Sequence, residues 1–101
     1  MREELLLNPR EEVSEDDLDE VALLDVLALG RDRDTGEDTY LCIEVSVTIN
    51  VDDVERAVRR TSIIRAMGHP AVAVVGGERI TEAARIAAVE NEATIDIRIA
   101  P

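Results

Sequence analysis

The sequence predicts an α/β domain with a mixed central sheet flanked by helices. Two apolar segments joined by a polar loop are typical of an antiparallel hairpin, and they are followed by a segment with helical periodicity. Strand and helix patterns then alternate to the end of the chain. Such alternation calls for right-handed crossovers, which place parallel pairs in the sheet. The expected order is an optional first helix followed by β-β-α-β-α-β.

Residues 1–20 form an acidic N-terminal segment in front of a predicted domain at residues 21–101. Pro9 interrupts any helix that starts at the N-terminus. The stretch SEDDLDE either begins a short helix capped by Ser14 or forms a solvated acidic lead-in. The charge run is consistent with both alternatives.

The predicted hairpin begins with residues 21–30, VALLDVLALG, which are apolar except for Asp25 and glycine. The loop RDRDTGEDT is rich in turn formers and places its tip at Thr35-Gly36. The second strand alternates from residue 40 to residue 51, with apolar side chains at the odd positions. This period of two would place Glu44 and Ser46 side by side on the other face of the strand.

A helix is predicted from Asp52, because the apolar period then becomes helical. Asp52 and Glu55 match a capping box, and Gly68 suits the C-terminal cap. The predicted apolar stripe of this helix consists of Val54, Ala57, Val58, Thr61 and Ile64. Three arginines lie off the stripe and predict a solvated, ion-paired helix face: Arg56, Arg59 and Arg60.

The last third of the chain predicts a strand, a helix and a strand. AVAVVGG is a short unbroken apolar run, which is typical of a buried parallel strand. ITEAARIAAVENE predicts an alanine-rich helix capped by Thr81. ATIDIRIA alternates apolar and polar side chains, which indicates a half-exposed strand at the edge of the sheet.

The composition limits the partners that this protein can have. Hydrophobic residues make up 46% of the chain, but Tyr40 is the single aromatic residue, so the core must be aliphatic. The net charge is −12, and residues 1–39 carry most of it, with 14 acids against 4 arginines. This charge repels a phosphate backbone and counts against bulk nucleic-acid binding. A chain of 101 residues is marginally stable by itself, which favours a homodimer.

The sequence also predicts a cytoplasmic protein that does not enter the membrane. No segment has the pattern of a secretory signal, and the apolar runs are too short to cross a bilayer. Cys42 is the single cysteine, so an intrachain disulfide is excluded. All eleven basic residues are arginine, so no mechanism can use a lysine of this chain.

Asp25 and Glu44 are the two acids embedded in the predicted strands, and the hairpin makes those strands neighbours. Two carboxylates that face one pocket suit Mg²⁺, which prefers oxygen ligands. The alternative is structural. Asp25 would then be exposed or hydrogen-bonded to Arg31 or Arg33, and Glu44 would lie on the polar face of a half-buried strand.

These residues resemble the PD-(D/E)XK nuclease superfamily, which has the restriction-endonuclease-like fold. LLDVLAL supplies Asp25, YLCIEVSV supplies Glu44-Val45-Ser46, and VDDVERAVRR resembles the helix that packs behind the site. The resemblance covers residues 21–101. It implies a Mg²⁺- or Mn²⁺-dependent phosphodiesterase acting on nucleic acid, with Asp25, Glu44 and the Val45 carbonyl as metal ligands. An acid from a preceding helix often completes such sites, and Glu15 or Glu20 would serve.

Ser46 departs from the family pattern, because it stands where the family has a catalytic lysine. A neutral hydroxyl cannot replace an ammonium group electrostatically. An arginine such as Arg56, Arg59 or Arg60 would have to supply the charge, although an arginine is a poor proton acceptor. The alternative is a catalytically inactive module with this fold that serves in protein interaction or oligomerisation. Whether the chain is an enzyme stays open, with Asp25, Glu44 and Ser46 as the candidate catalytic residues.

Overall fold

The computed structural model of the protein describes residues 15–98, which form a small α/β domain. The elements in chain order are α1 (Glu15–Ala22), β1 (Val26–Arg31), β2 (Asp38–Val45), β3 (Thr48–Ile49), α2 (Val51–Ala66), β4 (Ala71–Gly77), β5 (Arg79–Ile80), α3 (Glu82–Glu90) and β6 (Thr94–Ile97). The predicted order is confirmed, with the two-residue strands β3 and β5 in addition. The predictions made for residues 1–14, including the cap at Ser14, lie outside the described residues.

The central sheet is mixed, as predicted. Its strand order is β1-β2-β4-β6, with β1 and β2 antiparallel and the pairs β2-β4 and β4-β6 parallel. The predicted hairpin, the buried parallel strand β4 and the edge position of β6 are therefore confirmed. The strands β3 and β5 form a separate parallel pair beside this sheet.

The first predicted strand begins later than expected. Val21 belongs to helix α1, and β1 starts only at Val26. Val21 and Leu24 are buried together with Met67 of the loop after α2, so the apolar run serves first a helix and then a strand. A short apolar run does not distinguish these two uses. Asp25 consequently lies in the bend immediately before β1 and not inside a strand.

Helix α2 is capped by Asn50, two residues before the predicted cap. The Asn50 side chain accepts from the Asp53 N–H at 3.1 Å, and the Asp53 carboxylate accepts from the Asn50 N–H at 2.9 Å. This reciprocal pair is a capping box. At the other end, Gly68 adopts a φ of 91°, as a glycine that follows a helix often does. The predicted apolar stripe is confirmed, since all five of its residues are buried or half-buried.

The three helices cover one face of the central sheet. One core cluster joins Cys42 of β2 to Val21 of α1 and to Ile64 of α2. A second joins Val75 of β4 to α2 and α3. The opposite face is open, and its apolar side chains are half-buried or exposed: Val26, Leu41, Ile43, Val45, Val72 and Val74. The domain therefore has two layers, and one surface of its sheet is uncovered by residues 15–98.

Within residues 15–98 there is no helix with the length and apolar character needed to span a membrane.

Candidate functional site

Asp25 and Glu44 meet at the end of the hairpin. The Asp25 N–H donates to Glu44 Oε2 at 3.3 Å, and the Val45 N–H donates to Asp25 Oδ2 at 2.8 Å. The pairing of Val26 with Ile43 places the two acids at the next position of the ladder. Asp25 is exposed, and its carboxylate accepts from the backbone of β2 and not from Arg31 or Arg33.

Glu44 points under the helices and is 3% exposed. Its Oε1 atom accepts from Arg60 Nη1 at 2.9 Å and from Arg56 Nε at 3.3 Å. The alternative of a polar-face residue on a half-buried strand is therefore wrong. The face of β2 that carries Cys42 and Glu44 is the covered one, whereas Val45 on the other face is 56% exposed.

Arg60 is also buried, at 6% exposure, which contradicts the expected solvated face. Its guanidinium lies between two acids. Besides Glu44, it donates to Glu20 Oε2 from Nη2 at 3.1 Å and from Nε at 3.3 Å. Its Nη1 atom also donates to the Leu23 carbonyl at 3.3 Å. Arg60 thereby connects α1, the turn that follows α1 and strand β2 through a single side chain.

The two neighbouring arginines extend this network towards solvent. Arg59 Nε donates to Glu20 Oε1 at 2.6 Å, and its side chain is 53% exposed. Arg56 donates to Asp53, the acid of the α2 capping box. We refer to the six side chains together as the arginine–carboxylate cluster: Glu20, Glu44, Asp53, Arg56, Arg59 and Arg60. Its formal charges, three negative and three positive, cancel.

The buried part of the cluster is fully hydrogen-bonded. Among the described residues, no buried side-chain nitrogen or oxygen lacks a hydrogen-bond partner. This matters because an unpaired charge in the interior costs several kcal/mol. The sequence signal for the cluster is the i, i+4 spacing of Arg56 and Arg60, which places both on one side of the helix. The acid that Arg60 shares with Arg59, Glu20, lies forty positions away, where no local pattern points to it.

The donor set does not fit a divalent cation in this arrangement. Both oxygens of Glu44 already accept hydrogen bonds, and two guanidinium groups lie against Oε1, where they would repel a cation. In residues 15–98 no group of three or more histidine, cysteine, aspartate or glutamate side chains is placed to hold a metal ion. Of the two acids considered for completing a metal site, Glu20 is engaged by arginines and Glu15 lies outside the cluster.

Ser46 does not join Asp25 and Glu44. Strand β2 ends at Val45, and the Ser46 hydroxyl donates to the Thr48 carbonyl at 3.0 Å. Its N–H donates to the Gly76 carbonyl at 2.9 Å. Ser46 lines a groove of about 410 Å³ together with the exposed Val45 of the open sheet face. The alternation that predicted a shared face continues in the sequence, but the strand that would carry it has ended.

Cys42 and His69, the other two candidate reactive side chains, make packing contacts. Cys42 is fully buried in the core, and this burial raises the pKa of its thiol. His69 follows the end of α2, and its ring packs edge-on against Tyr40 with a centroid distance of 5.4 Å. Neither contact suggests a nucleophile or a metal ligand.

Glu20 makes the cluster sensitive to acid. The hydrogen bond from Arg59, assisted by Arg60, holds the pKa of the Glu20 carboxyl below its ordinary value of 4.5. A depressed pKa means that the folded state binds fewer protons, so this stabilisation is complete above pH 4.5 and is lost as the pH falls through the folded-state pKa. Urea unfolding at a series of acidic pH values should therefore show a smaller loss of stability for Glu20→Gln than for wild type. Glu82→Gln, on the exposed surface of α3, should follow the wild-type profile, and equal slopes for all three proteins would contradict this role of Glu20.

No family profile, curated protein or solved structure matches the chain. The resemblance to a nuclease superfamily therefore depends on the residues around Asp25 and Glu44 and on the order of the elements.

Proposed function

We propose that the chain is a non-catalytic interaction module with a restriction-endonuclease-like fold. In this proposal, the position of a metal site is occupied by ion pairs that fix the hairpin against helix α2. The observation that carries the proposal is the engagement of Glu44, whose two carboxylate oxygens accept from Arg56, Arg60 and the Asp25 N–H. A carboxylate so engaged contributes to the fold, and a cation beside it would meet two guanidinium groups of like charge.

Two further observations support this function. Ser46, at the position of the family's lysine, is neutral and hydrogen-bonds to Thr48 instead of facing the two acids. The net charge of −12 also disfavours a nucleic-acid substrate. The buried Arg60 forms ion pairs with Glu20 and Glu44 and is not available to contact a phosphate. An interaction module needs neither a metal nor an exposed basic surface.

A second candidate is a Mg²⁺- or Mn²⁺-dependent phosphodiesterase that acts on nucleic acid. Two observations favour it. Asp25 and Glu44 converge, and two arginines contact Glu44, where they would supply the positive charge of the family's missing lysine. Under this candidate, Asp25, Glu44 and the Val45 carbonyl would hold the metal. Both guanidinium groups would first have to leave Glu44.

Calorimetric titration of MnCl₂ and MgCl₂ into the protein separates the two candidates. We expect no saturable heat for wild type and no difference between wild type and Asp25→Asn, because Asp25 lacks a second free carboxylate beside it. Asp38→Asn is the matched control, since Asp38 is an exposed acid at the other end of the hairpin. A saturable heat that Asp25→Asn abolishes and Asp38→Asn preserves would show that Asp25 binds a metal ion, and it would overturn the proposal of a non-catalytic module.

The same proteins should be incubated with single- and double-stranded DNA and RNA in the presence of Mn²⁺. We expect no cleavage by wild type above that of a buffer control. Cleavage that Asp25→Asn removes would establish the phosphodiesterase and reject the non-catalytic module.

A further inference from the structure

The outer edge of β1 has the properties of a pairing surface. Among the strands of residues 15–98, β1 forms one edge of the central sheet, and it pairs only with β2. Its sequence VLALGR is apolar up to Arg31, contains no proline and has no bulge in its register. Leu29 and Val26 are about two-fifths exposed. An edge strand with these properties is a template for pairing with another strand.

The hydrogen-bonding direction of β1 follows from the turn of the hairpin. The Asp32 N–H donates to the Glu37 carbonyl at 2.8 Å, at the position after the Arg31–Asp38 pair. In an antiparallel ladder, the N–H and C=O groups of alternate residues point to the same neighbour. The backbone groups of Gly30 and Ala28 therefore point to β2, and those of Leu27, Leu29 and Arg31 point outwards.

The other edge of the sheet is less suited to pairing. Strand β6 has four residues, and Asp96 within it forms an exposed ion pair with Arg98 at 3.0 Å. Short edge strands with charged residues are a common protection against unwanted pairing.

We propose that β1 pairs with β1 of a second copy of this chain, antiparallel and with the twofold axis at Ala28, to form one continuous sheet of two domains. The choice of a protein as the partner rests on the interaction function proposed above. The surface itself lies outside the ion pairs of the arginine–carboxylate cluster.

Charge complementarity selects the second copy and the register. With Ala28 opposite Ala28 of the second copy, Leu27 lies opposite Leu29, and both have outward-pointing backbone groups. In the same register Asp25, immediately before the strand, lies opposite Arg31 at the end of the strand, and the symmetry repeats this pair. Arg31 can reach this partner, because its side chain is 75% exposed and its ion pair with Asp38 is long, at 3.8 Å. Opposite charges across a strand pair stabilise it and like charges destabilise it.

Sedimentation velocity over the micromolar to millimolar range tests the association. It should be run at physiological ionic strength, where the Debye length of about 8 Å limits the repulsion between two acidic copies. We expect wild type to move from monomer to a species of twice the chain mass of 11.1 kDa. A wild-type protein that stays monomeric over this range overturns the proposal, while the metal and cleavage experiments above stand unaffected.

Charge reversal tests the surface. Arg31→Glu replaces both opposite-charge pairs with Asp25 in the dimer by like-charge pairs, and it should raise the dissociation constant about tenfold or more. Arg85→Glu is the matched control, because Arg85 is an exposed, ion-paired arginine on α3. Equal dissociation constants for the two variants would place the interface elsewhere.

Single cysteines test the register. Ala28→Cys should form a disulfide-linked dimer under mild oxidation, since opposite residues of a non-hydrogen-bonded pair have Cα atoms about 4.5 Å apart, within disulfide range. Gly30→Cys should not form one, because position 30 lies opposite Val26 of the second copy. This control variant should still fold, since a side chain at Gly30 meets only ordinary contacts at 3.8 Å or more. Cys42 is fully buried and cannot compete. Failure of Ala28→Cys, or equal linking of both variants, would contradict this pairing.

Discussion

Replacing Arg60 with alanine is expected to lower the free energy of unfolding by about 3–5 kcal/mol, because it leaves the buried Glu44 without its closest partner. Arg60 is 6% exposed and makes hydrogen bonds to Glu44, Glu20 and the Leu23 carbonyl. Removal of one member of a buried ion pair leaves a charge with too few partners in a medium of low polarity. A domain of this size has a total stability of about 5–15 kcal/mol, so the variant would be close to unfolding.

Arg59→Ala is the matched control for this prediction. Arg59 is the preceding residue on the same helix and pairs with the same acid, Glu20, but its side chain is 53% exposed. Exposed ion pairs contribute about 1 kcal/mol or less, so this variant should unfold at nearly the urea concentration of wild type. Equal losses for the two variants would show that burial does not determine the contribution. A double-mutant cycle of Arg60→Ala with Glu44→Gln then measures the coupling between these two side chains.

Replacing Gly77 with alanine is expected to cost about 3 kcal/mol, at the upper end of the usual range for overpacking. A Cβ atom at Gly77 would lie 2.1 Å from the Ser46 carbonyl oxygen and 3.1 Å from Ile49. The closer atom belongs to the backbone, which cannot move aside as a side chain does. The segment after β2 would therefore have to separate from the end of β4.

The adjacent glycine provides the control. A Cβ atom at Gly76 would come no closer than 3.7 Å to another atom, the Asp96 carbonyl oxygen. Gly76→Ala should therefore change the stability by about 1 kcal/mol or less in either direction. Thermal unfolding followed by circular dichroism would measure both variants. A melting temperature for Gly77→Ala equal to that of Gly76→Ala would contradict the close approach of Ser46.

The architecture could be predicted from the sequence where the pattern of one element is sufficient. The loop between β1 and β2, the apolar stripe of α2 and the unbroken apolar run of β4 each describe a local structure. The first boundary could not be predicted, because residues 21–24 are as suitable for the end of a helix as for a strand. Their role depends on the packing of Val21 and Leu24 against Met67, which lies more than forty residues away.

The candidate site was only partly predictable, for a similar reason. The hairpin alone brings Asp25 and Glu44 together, so their meeting follows from local pattern. The burial of Glu44 does not, because the apolar side chains of β2 are at the odd positions, whereas α2 covers the other face, which carries Cys42 and Glu44. Arg60 was expected in solvent because it lies off the apolar stripe. Its burial depends on acids supplied by α1 and β2, and a periodicity within α2 contains no information about them.

The open face of the sheet gives the acidity of the chain a physical role. Aliphatic side chains from three strands lie uncovered there within the described domain, and next to them lies an unpaired strand edge. Such surfaces promote precipitation in a crowded solution. A net charge of −12 on a chain of 101 residues makes the molecules repel one another, which opposes nonspecific association. The acidic residues thus provide colloidal stability, and we expect solubility to be lowest near the isoelectric point of about 4.3, where that repulsion vanishes.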